Sequence, residues 1–228
     1  MWSQLDGIPM VTEWYMSAWQ QMWRNLGVAS ADPALLHDLL GRYSAPHRKY
    51  HTLQHLDACF ANFATLCGQA TYPAEVELAL WFHDAVYETA VPGNEQASAD
   101  WAAQALLAAG GVPAAAQRVH ALVMATCHDR VPQTADEKIL LDVDLAILGS
   151  ASGAFDAYEL QVREEYAAVP INQFRARRRR ILQQFLDRER IYHTQAFHAS
   201  LEARARANLV RSIGQLSEDG ARPAGKGN

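Results

Sequence analysis

The residues with the most chemical potential in this chain are an adjacent histidine and aspartate, His83-Asp84, set inside the otherwise apolar run from Val76 to Tyr87. Two ionisable groups side by side in a segment that should be buried cost on the order of several kcal/mol unless something compensates them. A bound metal ion compensates both at once. Upstream, Tyr50-His51-Thr52-Leu53-Gln54-His55 places two histidines four apart, and downstream Leu140-Leu141-Asp142-Val143-Asp144-Leu145 sets carboxylates inside another apolar run. Together these read as a site of imidazole and carboxylate ligands. Such a mix leaves room for water and suits a divalent manganese, iron, magnesium or zinc ion; no thiolate ligand is indicated, so a closed structural zinc site is not expected. An open position on the ion would bring the pKa of a bound water towards neutrality and supply a nucleophile.

Helical faces divide the roles. If His51 and His55 ride on one helix, their Cβ atoms are ~5–6 Å apart and both look into one cavity. His55, with Thr52, Ala58 and Cys59 three or four residues away, faces inward and is assigned to the metal; His51, one turn nearer the helix mouth, is assigned to the substrate side. His83 and Asp84, about 100° apart on a helix, can converge on an ion between them. Asp144 has Leu140, Leu141, Ile147 and Leu148 as its face neighbours and Asp142 has Lys138, Ile139, Leu145 and Ala146, so Asp144 is expected to be the buried ligand. Asp142, pointing nearly opposite, is expected to cap, to pair with Lys138 or to face solvent. The predicted ligand set is His55, His83, Asp84 and Asp144.

The elements that must hold these residues are all helical, since strand signals are nearly absent and helical periodicity and stop signals recur. A first helix carries Trp14, Trp19 and Trp23 to Gly27. Asp32-Pro33 has the cap and first-turn signature of a second, running to Tyr43. Further helices are predicted at 51–67, from Pro73 through His83-Asp84, and at 94–109, 113–128, 136–149, 153–168, 171–190 and 194–216. Residues 1–216 are expected to form one all-α domain, and 217–228, which lack an apolar anchor, a disordered tail. The tryptophans read as packing residues. Arg175 to Arg180 read as a solvated face.

Composition narrows the function classes. With 228 residues, half of them hydrophobic and a net charge of -5, the chain suits one ordinary globular core and argues against a nucleic-acid footprint. Cys59, Cys67 and Cys127 form no Cys-x-x-Cys pair and read as reduced core residues. No apolar stretch approaches a membrane span and the start lacks a basic-then-apolar leader, so a cytoplasmic location is expected.

His55, His83-Asp84 and Asp144 resemble the His…His-Asp…Asp signature of the HD-domain metal-dependent phosphohydrolase superfamily. Tyr50-His51-Thr52-Leu53-Gln54-His55 is also similar to the Tyr-His-Asn-x-x-His segment of cyclic-nucleotide phosphodiesterases, whose first histidine donates a proton and whose second binds metal. Arg48 to His55, Phe82 to Tyr87, Asn94 to Ala99, Asp142 to Gly149 and Arg163-Glu164-Glu165-Tyr166 are similar to a subgroup of predicted HD phosphohydrolases, the likeness spanning about 14–212. It implies an HD-type helical bundle that hydrolyses a small phosphate ester such as a nucleotide, with His51 stabilising or protonating the leaving oxygen. Where many relatives continue the pair with Ile-Gly-Lys, or with a glutamate three residues on, this chain has Ala85-Val86-Tyr87. Glu95 is the candidate replacement for positioning water, or else serves the dipole of its helix. Arg48 is the candidate phosphate contact. Some relatives add two histidines at the stage of the chain occupied by His120 and His128; His128 is assigned to pocket lining, His120 to ordinary packing. The same fold also hosts metal-binding regulatory modules with little turnover and diiron oxygenases, which remain the alternatives.

Overall fold

A helix that is apolar on every side must be enclosed, and Pro73–Phe82 is that helix here: Val76 and every residue from Leu78 to Phe82 are buried. The structure, a computed structural model, describes residues 9–28, 32–89 and 91–218. Its helices are α1 (Pro9–Asn25), α2 (Pro33–Tyr43), α3 (Leu53–Leu66), α4 (Pro73–Phe82), α5 (Asn94–Ala108), α6 (Pro113–Ala125), α7 (Ala135–Asp144), α8 (Ser152–Glu165), α9 (Ile171–Leu186) and α10 (Gln195–Glu218), with 3-10 turns at Cys67–Gln69 and Leu145–Gly149. Among the described residues there is no strand. The chain is an all-α single-domain bundle in which α1, α3, α5, α6 and α7 surround α4, while α10 packs on α9 and on the Leu145–Gly149 turn.

Helix starts follow local chemistry. Asp32 accepts the Ala34 N–H at 2.9 Å ahead of Pro33, prolines open α4 and α6, and Thr134 and Glu137 form a reciprocal capping box on α7. Along α1, Trp19 sits edge-on to both Trp23 and Trp81, with ring centroids 5.4 and 5.1 Å apart, which anchors α1 to the central helix.

Several helices end earlier than expected, α6 at Ala125 instead of 128, α7 at Asp144 with a 3-10 turn to Gly149, and α9 at Leu186 instead of 190; two further departures lie at the chemistry. Helix α4 ends at Phe82, so His83 and Asp84 occupy the turn after it rather than the helix itself. The Tyr43 hydroxyl donates to the Trp81 carbonyl at 3.2 Å and accepts the Asp84 N–H at 3.3 Å. Arg48 donates to the carbonyls of Asp84 (2.7 Å) and Ala85 (3.1 Å). These partners take backbone groups that a continuing helix would have used on itself. Likewise α3 begins at Leu53, behind an extended Thr52, so His51 precedes the helix. The reason lies over a hundred residues away: Glu165 Oε1 accepts the N–H groups of Lys49, Tyr50 and His51 at 2.8, 2.8 and 3.0 Å.

Other differences are smaller. Trp14 is 49 % exposed and packs at the surface, its ring centroid 6.1 Å from that of Phe60 on α3. Cys67 and Cys127 are only half-buried, Cys59 fully. In the basic run, Arg178 is buried, ion-paired with Glu159 and stacked over Tyr158, whereas Arg177, Arg179 and Arg180 are exposed. Helix α10 continues to Glu218, two residues beyond the expected domain end; the expected tail at 219–228 lies outside the described residues.

Candidate metal centre

Three elements bring imidazoles and carboxylates to one point: α3 supplies His55, the turn after α4 supplies His83 and Asp84, and the last residue of α7 supplies Asp144. His55 Nε2 stands 3.1 Å from His83 Nε2, 3.4 Å from Asp144 Oδ1 and 3.6 Å from Asp84 Oδ2. His83 Nε2 is 3.1 Å from Asp84 Oδ2 and 3.6 Å from Asp144 Oδ1. An ion bonded at about 2.1 Å to each ligand spaces its ligand atoms by roughly 3.0 Å at right angles and 3.4 Å at a tetrahedral angle. The observed spacings fit that requirement. Two imidazole nitrogens aimed at each other across 3.1 Å also need something between or on them, since at most one can donate to the other.

Cys59, one helical turn after His55, belongs to the same cluster. Its Sγ lies 3.7 Å from His55 Nε2, and the ligand atoms of His55, Cys59, His83 and Asp144 all fall within 4.8 Å of one another. This group could hold a metal ion, and it includes a thiol that the sequence reading had set aside. The signal was available, because Cys59 shares the inward face of His55 at a spacing of four. Burial, then the Asp144 and Asp84 carboxylates, push the thiol well above its ordinary pKa.

The surrounding groups orient this cluster. His83 Nδ1 donates to the Leu80 carbonyl at 2.8 Å, which leaves Nε2 as the atom turned to the centre. Burial lowers the His83 pKa, but the Asp84 carboxylate beside it outweighs this and carries it up to about 9. Asp84 is correspondingly held below the usual carboxylate range: burial opposes ionisation, and the charges of His83, His51 and His55 prevail. Burial also opposes ionisation of Asp144, yet hydrogen bonds from His128 and His55 hold its carboxyl low. His128 Nε2 meets Asp144 Oδ2 at 3.0 Å, so His128 reaches the cluster through a carboxylate. Its backbone takes a left-handed φ of 55°, and Arg188 donates to its carbonyl at 2.7 Å.

Asp142 and Asp144 point to different places, as residues two apart on a helix must, but the burial argument is reversed. Asp142 is wholly buried and Asp144 is not. Asp142 accepts the N–H groups of His193 (2.7 Å) and Thr194 (2.6 Å) and the Thr194 hydroxyl (2.6 Å), fastening α7 to the start of α10. It neither pairs with Lys138 nor faces solvent; of the three expected roles, only capping describes it. Burial pushes its carboxyl up to about 6 against the pull of those donors.

Of the remaining expected site residues, His51 lies nearest the cluster, its ring centroid 5.9 Å from that of His55. Its Nδ1 is 2.7 Å from Glu165 Oε2, which also accepts the Tyr87 hydroxyl at 2.9 Å, and the Tyr87 ring stacks on the imidazole at 4.2 Å. Glu165 therefore fixes both the backbone and the ring of His51, a role the sequence reading did not assign. Its Arg163 to Tyr166 motif was noticed, but nothing in one sequence joins α8 to residue 51. Arg48 is placed otherwise than expected. It is 5 % exposed and its two terminal nitrogens donate to the carbonyls of His51, Asp84 and Ala85, so it braces the His83-Asp84 turn. Glu95 stands half-exposed in the first turn of α5, outside the converging ligand group. His120 sits in a surface network with Asp100 and Gln96.

A cavity of about 440 Å³ reaches the cluster, with His55, Cys59 and Asp144 in its wall. A larger one of about 670 Å³, walled by Trp14, Phe60, Phe63 and Tyr72, shares no lining residue with it. The smaller cavity is the one that bears on this chemistry. No helix among the described residues is long and apolar enough to cross a membrane. Compared with known proteins, the chain matches no family model, no curated protein and no solved structure.

Proposed function

We propose that this chain is a metal-dependent phosphohydrolase of the HD type acting on a small phosphate ester, a nucleotide being the leading candidate. The observation that carries the reading is the convergence of His55 Nε2, His83 Nε2, Asp84 Oδ2 and Asp144 Oδ1 at spacings of 3.1–3.6 Å, beside an imidazole braced by a buried carboxylate. His55, His83 and Asp144 are common to both candidate ligand sets. We take Asp84 over Cys59 as the fourth because its oxygen approaches both histidines and because two carboxylates match the charge of a divalent ion without a third anion. Manganese, iron, magnesium and zinc all accept this ligand set.

When bound, a divalent ion there would activate water and stabilise charge developing on the phosphoryl oxygens. The chain's own part is positioning and proton transfer. His51 Nδ1–H donates to Glu165, so Nε2 is the atom that delivers a proton to the leaving oxygen. Tyr87 and the three backbone N–H groups on Glu165 keep that carboxylate in place. His83 is held in its ligand tautomer by the Leu80 carbonyl, and Arg48 fixes the backbone from which Asp84 projects.

One observation favours a second reading. The other oxygen of Asp144 is engaged by His128, the pair that a second ion would use, as the diiron alternative requires. The experiment is elemental analysis of the purified protein and of Asp84→Asn and Cys59→Ser, with hydrolysis of phosphomonoesters and phosphodiesters by the metal-reconstituted protein. The hydrolase reading expects metal in the parent and in Cys59→Ser, little in Asp84→Asn, and ester hydrolysis that depends on it. Two irons per chain with no hydrolysis would transfer support to the oxygenase. Metal without turnover of any kind would leave a regulatory module.

A further inference from the structure

The cavity beside the ion-facing residues has a wall chemistry of its own. Its lining includes one carboxylate, Asp144, one imidazole, His55, and no lysine or arginine. The rest is mainly apolar, from α3, α7, α8, α10 and the Leu145–Gly149 turn, beside the polar tips of Tyr50, Tyr158, Ser150 and Cys59. Against that background stand three carboxamides, Gln54, Asn62 and Gln161. Gln54 and Asn62 lie two turns apart on one face of α3, separated by Ala58, and Gln161 comes from α8. No described residue donates to or accepts from any of these side-chain amides. Each offers both a donor and an acceptor.

A polyphosphate chain or an anionic sugar acid would need fixed cations, which this wall does not have; Arg178, over the lining Tyr158, is paired with Glu159, and Arg48 is committed to backbone carbonyls. An apolar wall with a few amides instead suits an uncharged body whose edge alternates donors and acceptors. At 440 Å³ the space lies within the range of sites for small organic ligands, ~300–1,000 Å³.

We infer that this cavity seats an uncharged group presenting an amide or lactam edge, and that Gln54, Asn62 and Gln161 are the residues that read it. The inference rests on the hydrolase reading for the placing of a phosphoryl group at the metal centre, but the binding of the organic body does not require turnover. A nucleobase and an N-acyl group share this edge chemistry and are separated by experiment.

The test has a binding arm and a turnover arm, both on the full chain loaded with metal. In the first, free nucleosides and free N-acetylglucosamine, neither carrying phosphate, are titrated while the side-chain NH2 resonances of Gln54, Asn62 and Gln161 are followed by NMR. Shifts of those resonances with one ligand class are expected, and they identify the source of the edge. In the second, kcat/KM is compared for nucleoside 5′-monophosphates, the matching 5′-triphosphates, N-acetylglucosamine 6-phosphate and phenyl phosphate. The amide-bearing monophosphate should exceed phenyl phosphate and its own triphosphate at least about tenfold, and Gln54→Leu or Gln161→Leu should cut that preference about tenfold, the scale of one uncharged hydrogen bond lost. Binding with amide shifts but no hydrolysis of any ester would sink the hydrolase reading and sustain the cavity assignment. Hydrolysis with phenyl phosphate or triphosphates preferred, and no amide shifts with either ligand, would overturn the assignment and leave the hydrolase reading intact.

Discussion

Replacing Glu165 by glutamine tests whether a single carboxylate from α8 holds His51 and its loop. The Glu165 side chain is fully buried and receives five donors: the N–H groups of Lys49, Tyr50 and His51, the ring of His51 and the hydroxyl of Tyr87. Burial alone would raise its pKa, but these bonds, His51 first, bring it from 4.5 down to about 2. At about 1.4 kcal/mol per pH unit, that descent sets a ceiling of about 3 kcal/mol on the stability the ionised form contributes. A carboxyl whose folded pKa is depressed contributes fully above its unfolded pKa and loses its contribution as pH falls through the folded one. Glutamine resembles the protonated acid in shape and charge. Glu165→Gln should therefore lower stability at pH 7 by about 2–3 kcal/mol, with the gap to the parent narrowing as pH falls from 4.5 towards 2. Urea unfolding of both proteins at a series of pH values from 7 to 3.5 measures it. No gap at pH 7, or a gap that stays constant down to pH 3.5, would refute the reasoning.

The two aspartates of α7 should separate by metal content: Asp144→Asn loses metal, while Asp142→Asn keeps metal and loses about 1–3 kcal/mol of stability for donors left facing an amide. Elemental analysis and thermal melts distinguish the two, and equal metal loss in both would contradict the assignment. Arg48→Ala should destabilise by about 3 kcal/mol, roughly 6–12 °C in Tm for a chain of this size, with metal loss following because Asp84 is released. An unchanged Tm accompanied by a raised KM for phosphate esters would instead restore Arg48 as a substrate contact. His51→Ala should keep its metal and lose about 10²–10⁴-fold in turnover on esters with a poor leaving group, and far less on nitrophenyl esters; loss of metal in that variant would make His51 a ligand.

Periodicity and residue type were enough to read an all-α chain, the helix starts at Asp32-Pro33, Pro73 and Pro113, and His55, His83, Asp84 and Asp144 as groups with reason to meet. Those features are local: caps act within four residues, helical faces repeat every 3.6, and a polar pair in an apolar run needs a partner whatever the fold. Tertiary structure decided where the helices stop at the site, because the groups that end them come from elsewhere in the chain. Tyr43 and Arg48 stop α4 before His83, and Glu165 holds His51 out of α3. It also reversed the reading of Asp142, whose neighbour Lys138 on α7 gave no hint that the start of α10 would close over it. Arg48 looked free for a phosphate for the same reason. A charged side chain's partner is set by proximity in space, which its sequence neighbours do not encode.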